Sequence, residues 1–256
     1  MFAGVEKIFV KPHKPEKKLP PLKLESPEKF RDFLRVLWDE LYRANFYYDI
    51  FKEANNCCAK HTEAINYSQT FWHYTLRAHC QTTLVYLHRI YDQNRESFNL
   101  HRLLLTVRDN KEIFDIAEVR KRRAADPHAE SLIQSIGTLD FVQLERDIEF
   151  SSETNTKVKN LKHWRDRITF HKDERELFRG KPFEEENPLP FSDVDELLKK
   201  AFEILNRYSQ YFDTTVYSLG CREWKDMEFV FEALEHHPFL VRKRVQDAEL
   251  KARGLI

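Results

Sequence analysis

Residues 26–51, SPEKFRDFLRVLWDELYRANFYYDIF, decide the fold class. Phe30, Phe33, Leu34, Leu37, Trp38, Leu41, Tyr48 and Phe51 keep the spacing of an apolar stripe on one helix face for about six turns of 3.6 residues. Ser26, Pro27 and Glu28 supply an N-cap, a proline at the first helical position and an acid in the first turn, so a core helix starts there.

Outward from this stretch, the 256-residue chain is long enough to bury one sizeable core. Charged residues make up 33% and aromatics 13%, with only five glycines, which favours long helices with charged outer faces over a turn-rich β protein. The expected fold is all-α: an antiparallel bundle over 26–220, preceded by an extended arm at 1–25 and followed by a short helical extension at 221–256. The arm mixes Pro12, Pro15, Pro20 and Pro21 with Lys11, Lys14, Lys17, Lys18 and Lys23. That composition favours polyproline-like chain, either a tail that touches RNA or a partner, or a solvated leader.

Lys plus Arg and Asp plus Glu balance at 42 each, so nucleic acid would have to be held by local clusters. Cys57, Cys58, Cys80 and Cys221 show no CxxC pairing and no zinc-like spacing with the histidines. They read as buried thiols in a reducing compartment, without a disulfide framework, a structural metal or a cofactor. No apolar run approaches the roughly 18 residues that span a bilayer, and no signal peptide opens the chain, so a cytoplasmic protein with no membrane partner is expected. Nucleotide-loop, metalloprotease, esterase and EF-hand patterns are missing, which removes most familiar enzyme classes.

A second long helix is predicted from about Ser68 to Asp92, with Leu76, Cys80, Thr83, Leu84, Leu87, Ile90 and Tyr91 facing inward. His61, in the connection before it, reads as a surface histidine. Residues 99–109 and 111–123 suggest two shorter helices with Asn99 and Asn110 as caps. The basic run Arg120–Arg123 could meet phosphate or simply be a solvated helix end. Thr138 can cap a helix through Phe141, Val142, Leu144 and Ile148. The polar patch 151–157 then leaves open whether one helix or two follow. After an acidic, proline-punctuated loop to Pro190, Ser192 and Asp195 resemble a capping box. The apolar period then runs from Val194 to Leu219 with Gly220 as its stop. A short helix over 224–234 ends at His236, His237 and Pro238; adjacent histidines point in different directions and suggest no metal site.

The chemistry-bearing stretch is Lys157–Arg175, KVKNLKHWRDRITFHKDER. Val158, Leu161, Trp164 or Arg165, and Ile168 mark a helix lying on the core and ending near His171. Its lysines and arginines outnumber its acids, a plausible setting for a phosphodiester. Arg165, then Asp166, then four residues, then His171 resembles the motif of the HEPN superfamily. The same Arg-to-His spacing also occurs at Arg95–His101 and Arg122–His128. Only Arg165 is followed by Asp166 within a periodic helix. Thr70, Phe71 and Trp72, with Leu87, His88, Arg89, Ile90, Tyr91 and Asp92, are similar to the AbiU-type abortive-infection branch. Arg89 and Asp92, three apart, could form a structural salt bridge or lie near the site.

The resemblance implies a metal-independent endoribonuclease acting in antiphage defence or as a toxin, with RNA as substrate and an antitoxin or other regulatory protein as a partner. Arg165 would stabilise phosphate charge, Asp166 would orient its neighbours, and His171 would act as general acid or base. Lys162, Arg167 and Lys172 would touch RNA. Within one helix, residues six apart are turned by about 120° and separated by about 9 Å along the axis, so Arg165 and His171 do not converge unaided. The resemblance implies a homodimer in which two such helix ends share a cleft. The alternatives are a catalytically idle module that binds RNA, nucleotide or protein, and a helical scaffold without a site.

Overall fold

The first helix, α1, runs Pro27–Lys60 and is about 50 Å long at 1.5 Å per residue. Ser26 enters it in an extended conformation without a side-chain cap bond, and Pro27 occupies the first turn. The helix outlasts the aromatic stripe because small residues carry the phase onward: Ala54 and Cys57 are fully buried. The computed structural model describes residues 24, 26–94, 97–169, 183–219 and 225–254. Gly220 and, apart from Leu24, the expected arm lie outside them.

Helices α2 (Thr62–Tyr67) and α3 (Gln69–Tyr91) follow. Arg89 meets Glu40 at 3.5 Å, Tyr86 stacks on Tyr47 at 5.8 Å, and Trp72 shares an apolar cluster with Cys57. Numbers rising on one helix fall on the other, so α3 returns antiparallel along α1. Helices α4 (Leu100–Asp109), α5 (Ile116–Arg122), α6 (Ala129–Ile136), α7 (Phe141–Phe150), α8 (Thr156–Thr169) and α9 (Phe183–Glu186) lead to α10 (Phe191–Asp213). Helices α11 (Lys225–Glu235) and α12 (Pro238–Ala252) close the described chain, which contains no strand among the described residues.

Like α3, α10 runs antiparallel to α1. Phe30 lies 4.9 Å from Phe212, Trp38 5.7 Å from Phe202, and the Tyr48 hydroxyl donates to the Phe191 carbonyl at 3.3 Å. The core fills the space among these three, with Leu144 of α7 and Val158 and Leu161 of α8 joining it. Asp147 of α7 is buried and fully engaged: it pairs with Arg207 and accepts from the Tyr208 hydroxyl and the Gln143 amide, both at 2.9 Å. A buried carboxylate is tolerated because every strong donor around it is used on it.

Several predicted boundaries move for local reasons. Asp140, not Thr138, caps α7, its carboxylate accepting from Val142 and Gln143 amides at 2.9 and 3.1 Å. Asn99 caps α4 as expected, whereas Asn110 closes that helix by donating to the Thr106 carbonyl at 2.8 Å. The Ser192 capping box does not form, since α10 already begins at Phe191. That helix also stops at Asp213 instead of Gly220. Thr214 takes the left-handed conformation, φ 61°, and Asn206 bonds both backbone groups of Tyr217, folding the chain back. Short α2, α6 and α9 have no counterpart in the sequence reading, and α12 falls in the helical extension expected over 221–256. His61 is not a surface histidine: it is 8% exposed, at the junction of α1 and α11. No described helix is long and apolar enough to cross a membrane.

Candidate functional site

Two helices, not one, occupy 141–169, and Asn155 is what separates them. Its side chain accepts from the Lys157 amide at 3.0 Å and donates to the Phe150 carbonyl at 2.9 Å, ending one helix and starting the next. Val158 and Leu161 then bury themselves in the core. The flanks of α8 are pinned as well: Lys157 reaches Asp193 at 2.9 Å and Glu196 at 2.6 Å on α10. Asn160 and Trp164 donate to the carbonyls of Pro188 and Asn187 at 2.7 and 2.8 Å. A helix so fastened gives Arg165, one residue beyond Trp164, a defined place.

Arg165 is about three-quarters buried, with Nε 2.7 Å from Asp166 Oδ1. The neighbouring wall is the end of α3. There His88, 4% exposed, sits in the fields of Arg165, Asp92, Asp166 and Lys162. Burial foremost, and then the Arg165 guanidinium, push its pKa down to about 4, against the opposing pull of Asp92 and Asp166. The structure therefore gathers Arg165, Asp166, Asp92 and a neutral imidazole at one helix junction. Such a group offers a permanent cation oriented by a carboxylate, able to hold an anion's oxygens.

Other candidates are dispersed. Lys162 is bonded to Glu153 at 2.7 Å. Arg89 turns to Glu40 and lies 5.0 Å from the Tyr86 ring. The Arg89–Asp92 pair is not made, because Asp92 has left the helix with ψ 125° and accepts instead from the Asn94 amide at 3.1 Å. His171, Lys172 and the side chain of Arg167 lie outside the described residues. His88 is the residue to which the sequence reading gave no role. The available signal was its place one helical turn from Leu84 and Tyr91, a polar group on an apolar stripe.

Of the duplicate spacings, Arg95 lies outside the described residues, and Arg122 and His101 make structural contacts. Arg122 donates twice to the Phe212 carbonyl, at 2.9 and 2.7 Å, closing the end of α10. His101 contacts the Ile148 carbonyl and the Ser151 hydroxyl at 3.2 and 3.1 Å, tying α4 to α7. Beside α8, a cleft of about 500 Å³ has Phe51, His73, Arg77, Leu84, Trp164 and Phe191 among its walls. It offers ring faces and the Arg77 cation, and its wall residue Trp164 adjoins Arg165 in the chain.

Comparison with curated proteins and comparison with solved structures each gave no match. Comparison with protein families gave the HEPN AbiU2 model, described as AbiU2, over residues 27–226, which takes in α1 to α10 and with them Arg165, Asp166, His88 and Asp92. The chain belongs to the AbiU2 family of HEPN domains, an abortive-infection family.

Proposed function

We propose that this protein is a metal-independent endoribonuclease of antiphage defence or toxin type, acting on RNA as a homodimer. The observation that carries the reading is the fixed Arg165–Asp166 pair where α8 meets the end of α3. Arg165 holds the non-bridging oxygens of the scissile phosphate and stabilises the charge that grows on them in the phosphorane. The 2′-hydroxyl attacks phosphorus, one histidine removes its proton, and another delivers a proton to the departing 5′-oxygen.

His88 does not suit the proton work. With a pKa near 4, roughly one molecule in a thousand carries the proton at pH 7. Its place is to position Asp166 and Arg165. Proton transfer falls to His171, because an unperturbed imidazole, with a pKa of about 6.5, suits proton exchange at cellular pH. Two subunits facing each other supply two such histidines and double the positive charge on the phosphate. An antitoxin or other regulatory protein would act by covering this cleft.

The test is incubation of the purified protein with RNA in excess chelator, beside Arg165→Ala and His171→Ala. Each variant is expected to lose about 100-fold or more of the cleavage rate. Undiminished cleavage in both variants contradicts the assignment. Binding without cleavage by the wild type favours an idle RNA-holding module instead.

A further inference from the structure

At the far end of α3 from Arg165, a second group of reactive side chains meets where α1 touches α11. Glu53 and Cys57 lie one turn apart on α1, and His61, the residue that closes the helix, follows four residues on. Opposite them, α11 presents Glu228 and, two turns on, Glu235, with Phe231 between. Phe231 is fully buried against Trp72 at 4.4 Å and His61 at 5.4 Å. The centre of the group is therefore dry on one side.

The donor atoms converge. Cys57 Sγ lies 3.3 Å from Glu228 Oε2 and 3.8 Å from Glu53 Oε1, and His61 Nε2 lies 3.4 Å from Glu228 Oε1. One ligand atom from each of Glu53, Cys57 and Glu228 falls within 4.8 Å of the others. A tetrahedral ion with bonds of about 2.0 Å to oxygen and 2.3 Å to sulfur sets its ligands roughly 3.3–3.6 Å apart, close to the 3.3 and 3.8 Å from Cys57 to Glu228 Oε2 and Glu53, while His61 meets the other Glu228 oxygen. The second ring nitrogen of His61 supplies an independent sign. Nδ1 is buried without a well-formed hydrogen bond, yet lies 3.1 Å from Glu235 Oε1. Held between Glu235 and Glu228 Oε1, the imidazole fixes the Glu228 carboxylate with Oε2 toward the thiol, the part played by the second-layer partner of a metal-binding carboxylate.

We propose that Cys57, Glu53 and Glu228 bind a zinc-class divalent ion that clips the C-terminal helices to the bundle, with His61, backed by Glu235, orienting Glu228. Binding replaces the proton that Cys57 shares with Glu228: the thiol loses H⁺ to solvent and the thiolate takes the ion. Lys60, whose ammonium lies 3.5 Å from Glu228 Oε2, is more than half exposed and swings into water as the ion enters. The CxxC and Cys–His spacings used to scan the sequence miss this site because its ligands come from two helices about 170 residues apart in the chain. The site is separate from Arg165. Trp72 and His88 are sixteen residues apart on α3, about 24 Å along its axis, so the clip and the proposed ribonuclease site can fail independently.

The test uses the full chain, stripped with chelator and titrated with Co²⁺, which takes the geometry of zinc and reports thiolate ligation by an intense near-ultraviolet band. The wild type is expected to bind a single equivalent with that band. Cys57→Ser should remove the band, and Glu228→Gln and His61→Gln should each weaken binding at least tenfold. Zinc should raise the melting temperature of the wild type and leave Cys57→Ser unchanged. Circular dichroism shows whether each variant is folded, and Glu228→Gln serves if Cys57→Ser is not. A titration without the thiolate band, or a band that persists in Cys57→Ser and Glu228→Gln, overturns the proposal.

Discussion

His88 is the residue whose chemistry is most altered by the fold. Its pKa, pushed down to about 4 by burial and by Arg165, lies below the roughly 6.5 it has in the unfolded chain. Between those values the unfolded chain binds the proton and the folded one does not. Stability from this group is complete above pH 6.5 and is lost as the pH falls toward 4, by up to about 3 kcal/mol. Urea unfolding at pH 7 and pH 4.5 should therefore show a larger loss in the wild type than in His88→Gln. Equal losses would mean that the imidazole is not held neutral. The same reasoning separates His88 from His171: one is shut away from protons, whereas the role proposed for the other requires access to them.

At the scale of elements, long periodic helices were legible and short ones were not. The stripe from Phe30 to Phe51 and the run from Val194 to Phe212 announce α1 and α10 because many apolar positions repeat in phase. Helices α2 and α9 have six and four residues, too few for a period to emerge. The early end of α10 depends on Thr214 adopting a left-handed conformation, which its residue type does not advertise. At the site, the residue pattern pointed to Arg165 and Asp166. The contribution of His88 required knowing that the end of α3 packs on α8. Two substitutions probe these supports. Leu161, fully buried, seats α8, and Leu161→Ala should destabilise the protein by roughly 2–5 kcal/mol in urea or thermal unfolding. Asp147→Ala should cost about 3–5 kcal/mol by leaving Arg207 and the Tyr208 hydroxyl without their buried acceptor. Losses under about 1 kcal/mol would show that these contacts do not hold the bundle.

For the whole molecule, equal numbers of acids and bases mean that RNA is not drawn in by a global field, and affinity must be created locally by bringing cations together. Dimerisation is the means proposed here. Light scattering at micromolar concentration should give twice the 30.9 kDa chain mass, and Arg165→Ala should keep it, because the role proposed for this side chain is to hold phosphate and not to join the subunits. A monomeric wild type would leave Arg165 without a second subunit to complete the cleft. The most direct measurement is the chemistry of the cut ends, read by mass spectrometry after RNA is incubated with wild type and Arg165→Ala in chelator. Attack by the 2′-hydroxyl predicts 5′-hydroxyl and cyclic or 3′-phosphate ends from the wild type and almost none from the variant. Ends bearing a 5′-phosphate and a 3′-hydroxyl, or equal cutting by both proteins, would contradict it.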